Sequence, residues 1–275
     1  MELNRNQFLQ TAAAGAILGA LKARAVENAE LASRKNPDQL NIALIGAGAQ
    51  GRILAESCVR IPGIRFKAVC DIWEQYNLRN TARYIYSQLR EMPNTYVDYR
   101  EMLAAEKDGL DAVVVASPDW MHAEHANACM EAGLHVYSEK EMSNSLAKAA
   151  SMVKTAEATG KLLQIGHQRR SNPRYLHAID TLIHEEKLLG QVTTAVAQWN
   201  RAKADDIGFP AKFPSPAEVL DQYGYNSMME FRNWRWYRKY GGGPIVDLGS
   251  HQIDIYECVW QTSPKSVIAS GGNDY

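Results

Sequence analysis

The sequence predicts an α/β protein whose first half is a doubly wound parallel sheet. Three observations carry this. Short apolar runs alternate with amphipathic stretches of helical length. One run, Asp111 to Ala116, is continuous rather than alternating, as in a strand covered on both faces. A glycine-rich turn separates the first run from the first amphipathic stretch. The 275 residues leave room for two domains. With 46% apolar and 22% charged residues, a disordered or fibrous chain is excluded. Thirty basic residues against thirty-one acidic ones give a formal charge of −1. No overall field therefore draws the protein to nucleic acid or acidic lipid.

Residues 1–37 read as a leader and linker. The apolar run Thr11 to Leu21 is too short to span a bilayer. Arg5 precedes it and Ala23-Arg24-Ala25 follows, the polar start and small-residue end of an export signal. The stretch resembles a twin-arginine signal in which Asn6 replaces the second arginine. An exported, periplasmic protein is the expectation. A cytoplasmic one with an amphipathic N-terminal helix is the alternative.

Residues 38–166 form the expected nucleotide-binding domain. Asn41 to Ile45 is a strand, and it stops at Gly46, Gly48 and Gly51, with a helix from Gln50 to Val59. Gly46 permits the tight turn, Gly48 admits a pyrophosphate and Gly51 lets helix pack on strand. Gln50 and Arg52, in the same turn, join the candidate cofactor contacts. The helix start offers N–H groups and positive dipole to phosphate. Phe66 to Cys70 is the second strand. Asp71 ends it, about 20 residues past the last glycine, where a carboxylate meets a ribose 2′-hydroxyl. Such a carboxylate repels a 2′-phosphate, so NAD is expected over NADP.

Further strands are expected at Asp111 to Ala116, Leu134 to Tyr137 and Leu162 to Ile165. Helices are expected at Asp119 to Ala132 and Ser145 to Thr159. Ligands bind at the carboxyl ends of such strands. Ser117, Pro118, His122, Glu139, Lys140, His167 and Gln168 stand at or just past those ends.

Residues 167–275 are expected to form a second, partial α/β domain. Gln191 to Arg201 and Ser266 to Ser270 read as strands. So small a sheet has unfinished edges, which invite pairing with another chain. From Pro244 a helix is expected, with Asp247 and His251 on one face and Asp254 near it. An aspartate on one imidazole nitrogen would leave the other to accept a proton. The same spacing also fits a plain surface pair. Trp234 to Tyr240 interleaves Trp236 and Tyr237 with arginines. This reads either as a sugar platform or as a core aromatic cluster with solvated arginines. Four scattered cysteines give neither a disulfide framework nor a zinc site. His122, His125 and His135 follow no metal spacing, so no metal is expected.

The motifs NIALIGAGAQGR, VVVASPDWMH, SEKE and DLGSH, in this order, resemble the Gfo/Idh/MocA oxidoreductases. The resemblance implies a Rossmann domain followed by an α/β domain with an open, mainly antiparallel sheet. That sheet would serve substrate binding and homo-oligomer contacts. It implies that Lys140 and His251 contact a reacting hydroxyl, that Asp247 supports them, and that Ser117, Pro118, His122 and Glu139 line the cofactor cleft. The proline that follows the family's lysine is Glu141 here, which places a charge beside the reactive centre.

The implied reaction is hydride transfer between NAD and a secondary alcohol of a sugar or cyclitol. Lys140, Arg169, Trp199, Trp236, Tyr237, Asp247 and His251 are the candidate substrate contacts. Two alternatives stay open. One is an NAD-dependent glycosidase that oxidises its sugar transiently. The other is a non-catalytic NAD-binding sensor or subunit.

Overall fold

The computed structural model describes residues 38–200 and 205–272. The leader expected at 1–37 lies outside them. Six strands form one all-parallel sheet in the order β3-β2-β1-β4-β5-β6. They are β1 (Leu40–Ile45), β2 (Ile64–Cys70), β3 (Asn94–Tyr96), β4 (Ala112–Val115), β5 (His135–Glu139) and β6 (Leu163–Gly166). The crossovers carry α1 (Ala49–Cys58), α2 (Arg79–Leu89), α3 (Tyr99–Glu106), α4 (Asp119–Glu131) and α5 (Leu146–Thr159).

The β1 sequence splits between two cores. Ala43 and Ile45 join Val113, Val115, Met130 and Met152 on one face. Ile42 and Leu44 join Phe66, Val69, Ile85 and Val114 on the other. Both faces are thus apolar, which explains the apolar run at β1. The edge strand β3 has three residues, two of them exposed. The sequence shows no apolar run there. Asp98 caps α3 by accepting from the Arg100 N–H at 2.7 Å.

Compactness divides the chain differently from the expected boundary after Gly166. One unit comprises Met1–Gly166 with Ala202–Asp247, and the other His167–Arg201 with Leu248–Tyr275. The reason is a third apolar cluster. Trp73, just past β2, is buried with Leu220, Tyr225, Met228, Phe231 and Tyr240. Its indole N–H donates to the Phe213 carbonyl at 2.8 Å. The cluster also takes in α7 (Ala217–Gln222) and α8 (Met228–Arg232), which follow α6 (Pro173–Leu176) in the chain.

In the second unit, α9 (Ser250–Trp260) packs with the helical stretch that starts at Gln168. Arg170 Nε donates to Asp254 Oδ1 at 2.7 Å, and the Trp260 indole N–H donates to the Val192 carbonyl at 3.0 Å. The strands expected at 191–201 and 266–270 are not formed among the described residues. A strand is defined by its neighbour, and these segments find none. Val196 is 80% exposed and Ile268 99%. No described helix is long and apolar enough to cross a membrane.

Candidate functional site

The glycine turn between β1 and α1 is built from steric necessity. Gly46 has φ +91°, and a Cβ there would lie 2.4 Å from the Ser117 nitrogen. A Cβ on Gly51 would lie 1.8 Å from the Gly46 carbonyl oxygen, so α1 seats directly on the turn. Gly48 differs, because its Cβ would meet nothing closer than Asn77 Nδ2 at 3.7 Å. Gly48 is also the N-cap of α1, with no side chain capping the helix and no acid in the first turn. The free N–H groups and the open side of Gly48 fit a dinucleotide pyrophosphate.

Asp71 closes this turn from beneath. Its Oδ2 accepts from the Ala47 N–H at 2.7 Å and its Oδ1 from the Trp73 N–H at 2.8 Å. Burial pushes its carboxyl up to about 6, against the pull of those two bonds. The carboxylate expected to meet a ribose therefore also anchors the loop, a role that sequence spacing does not reveal. Arg52 leaves the turn. Its guanidinium pairs with Glu56 at 3.3 Å and lies over Tyr84.

The loops after β4 and β5 are tied together by His122. Its ring is buried, with Nε2 2.7 Å from the Ser117 carbonyl and Nδ1 against the Glu141 carbonyl. Burial pulls its pKa down. Pro118 caps α4, and Ser117 Oγ lies 2.9 Å from His125 Nδ1. Glu139 is buried at the end of β5 and accepts from Gln50 Nε2 at 2.9 Å. Two expected cofactor contacts from opposite ends of the domain are thus joined.

Lys140 follows directly. Its Nζ donates to the Asp247 carbonyl at 2.7 Å and lies 3.8 Å from both Asp247 Oδ1 and Glu141 Oε1. Arg235 Nε donates to Asp247 Oδ1 at 3.0 Å. The Asp247 carboxylate is thus shared by two cations. Arg235 is the member of this group that the sequence did not single out, since it was one of several arginines in an aromatic run. Trp236 and Tyr237 are largely exposed in the first unit.

In the second unit, Trp199 and His251 stack with ring centroids 5.6 Å apart. The Arg169 guanidinium lies 5.0 Å from the Trp199 ring. These three candidates line a cavity of about 470 Å³ with Tyr175, Gln252 and Tyr256. An aromatic face with a planar cation and polar forks suits a polyhydroxy ligand. Gln168 is exposed and lies outside that lining.

A glycine turn on a helix N-terminus and a buried acid after β2, on a doubly wound parallel sheet, define a dinucleotide-binding unit. Residues 40–167 match the oxidoreductase family model GFO_IDH_MocA, NAD-binding Rossmann fold, and 181–275 match the GFO/IDH/MocA C-terminal domain. The chain belongs to the GFO/IDH/MocA family. It is 30% identical over 233 residues to the uncharacterized oxidoreductase YrbE of Bacillus subtilis, covering 85% of this chain and 57% of that protein. It is 25% identical over 227 residues to the scyllo-inositol 2-dehydrogenase (NADP(+)) IolW of the same organism, covering 82% and 52%. The chain therefore spans a little over half the length of these relatives. Its fold matches the scyllo-inositol dehydrogenase of Lactobacillus casei, crystallised with NAD(H) and scyllo-inositol, with TM-score 0.57. The identity is 18%, over 80% of this chain and 56% of that one.

Proposed function

We propose that the protein transfers a hydride between a secondary alcohol of a sugar or cyclitol and NAD. The observation that carries this is Lys140, held at the carboxyl end of the sheet that presents the glycine turn. Bound NAD supplies the hydride acceptor. The turn N–H groups and α1 would hold its pyrophosphate, and Glu139 and Ser117 would line its cleft. Lys140 donates a hydrogen bond to the reacting oxygen and stabilises its developing negative charge. His251 is assigned the hydroxyl proton. Asp247 fixes Lys140 through its carbonyl and its carboxylate.

The test is a screen of cyclitols and sugars with NAD, read by absorbance of reduced nicotinamide. Reduced nicotinamide should form with at least one of them. Lys140→Ala and His251→Ala should each lower turnover about 10²–10⁴-fold while NAD affinity is retained. NAD binding with no reduction across the screen would favour the sensor. Release of an aglycone without net reduction would favour the glycosidase.

We also propose that segments 192–200 and 266–270 are strands of an open sheet completed by a second copy. Their exposed Val196, Val267 and Ile268 support this. Light scattering should give a multiple of the chain mass, and a monomer would contradict it.

A further inference from the structure

Two carboxylate oxygens beside Lys140 have no hydrogen-bond donor among the described residues: Glu141 Oε1 and Asp119 Oδ1. Glu141 Oε1 is 3.8 Å from Lys140 Nζ, beyond hydrogen-bond reach. Asp119, in the first turn of α4, is only 6% exposed. Its carboxyl feels the charges of Arg235, Glu141 and Lys140, which places it in the same electrostatic neighbourhood. Asp247 differs from both, because Arg235 Nε donates to its Oδ1 at 3.0 Å. Leaving a buried carboxylate oxygen without a hydrogen-bond donor is costly, and such an atom calls for a donor from a ligand or an ordered water.

The chemistry of that ligand follows from the charges. By formal count, Lys140 and Arg235 meet four carboxylates, those of Asp119, Glu139, Glu141 and Asp247, so the corner carries a net negative charge. A carboxylate-bearing ligand would be repelled there. A divalent cation would meet the Lys140 ammonium and the Arg235 guanidinium. A hydroxyl or an ammonium brings donors and no such conflict.

We propose that Glu141, backed by Asp119, is a specificity-determining residue that accepts a hydrogen bond from the substrate and sorts substrates by charge. Neutral and amine-bearing polyols are taken, and acid sugars are rejected. The inference rests on the dehydrogenase reading above and names its substrate class.

The test uses the full chain saturated with NAD. Binding of glucose, glucosamine and glucuronate is measured by calorimetry, and reduced nicotinamide is followed in parallel. Glucuronate should bind at least about tenfold more weakly than glucose or glucosamine, as like-charge contacts demand. Glu141→Gln should remove most of that discrimination, and Asp119→Asn part of it. Glu141→Gln leaves the carbonyl that faces His122 in place, so the loop keeps its tie. Equal binding of all three sugars, binding of none, or a ratio unmoved by Glu141→Gln would each overturn the proposal. If the ratio is unmoved while reduced nicotinamide still forms, the subsite falls and the dehydrogenase reading stands. Sorted binding without reduction has the opposite meaning.

Discussion

Single residues carry the tightest constraints. Gly46 and Gly51 were legible in the sequence because each position tolerates no Cβ, a requirement that glycine alone meets. The anchoring of the loop by Asp71 was not legible, since the bond to Ala47 spans distant sequence and appears only once β1 and β2 pair. His125 was equally opaque. It is buried beside Ser117, with its ring against Tyr99. Burial pulls its pKa down to about 3, while the unfolded value is about 6.5. Between those values the unfolded chain binds a proton that the folded chain does not, so this residue lowers stability as pH falls. The loss is about 2 kcal/mol near pH 5 and vanishes above about pH 7. Asp71 and Asp119 run the opposite way. Their folded carboxyls, raised to about 6, hold protons that the unfolded chain loses above about 4. A variant therefore isolates the effect better than the overall profile. His125→Asn should be destabilised near pH 8, and its Tm deficit should shrink as pH is lowered to about 5. A deficit independent of pH would contradict the buried neutral imidazole.

At the scale of elements, β1, β2, β4, β5 and β6 were readable because each overlaps a short, mostly apolar stretch that alternates with a stretch of helical length. Strand β3 was not, since its three residues are mostly exposed and read as part of a loop. The strands expected near 191–201 and 266–270 show the converse failure. β-branched composition marks a segment able to pair, but it does not supply the partner. The segment Ala202–Asp247 was assigned by position to the second domain, yet it packs with the first. Trp73 is the hinge of that difference. It was unremarked in the sequence because a lone tryptophan after a strand does not announce what it packs against. Trp73→Ala should cost about 3–5 kcal/mol. Hydrogen exchange should then rise in 213–240 ahead of β1 and β4. Unchanged protection there would show that the cluster does not hold the segment.

For the molecule as a whole, the sequence motifs and the fold point to one family, while the candidate site was legible only in part. The glycine turn stood out because backbone geometry restricts it, and the lysine after β5 stood out by its place at a strand end and by the family resemblance. Arg235, Asp119 and the bare oxygen of Glu141 did not, since their meaning lies in which charges fold together. The central claim is hydride transfer from a carbinol carbon to nicotinamide. The most direct measurement uses a cyclitol or sugar that the screen finds to be a substrate, carrying deuterium on the carbon that is oxidised. Mass spectrometry of the nicotinamide after a single turnover should find the deuterium on the cofactor. Deuterium released to water, with none on the nicotinamide, would contradict the account.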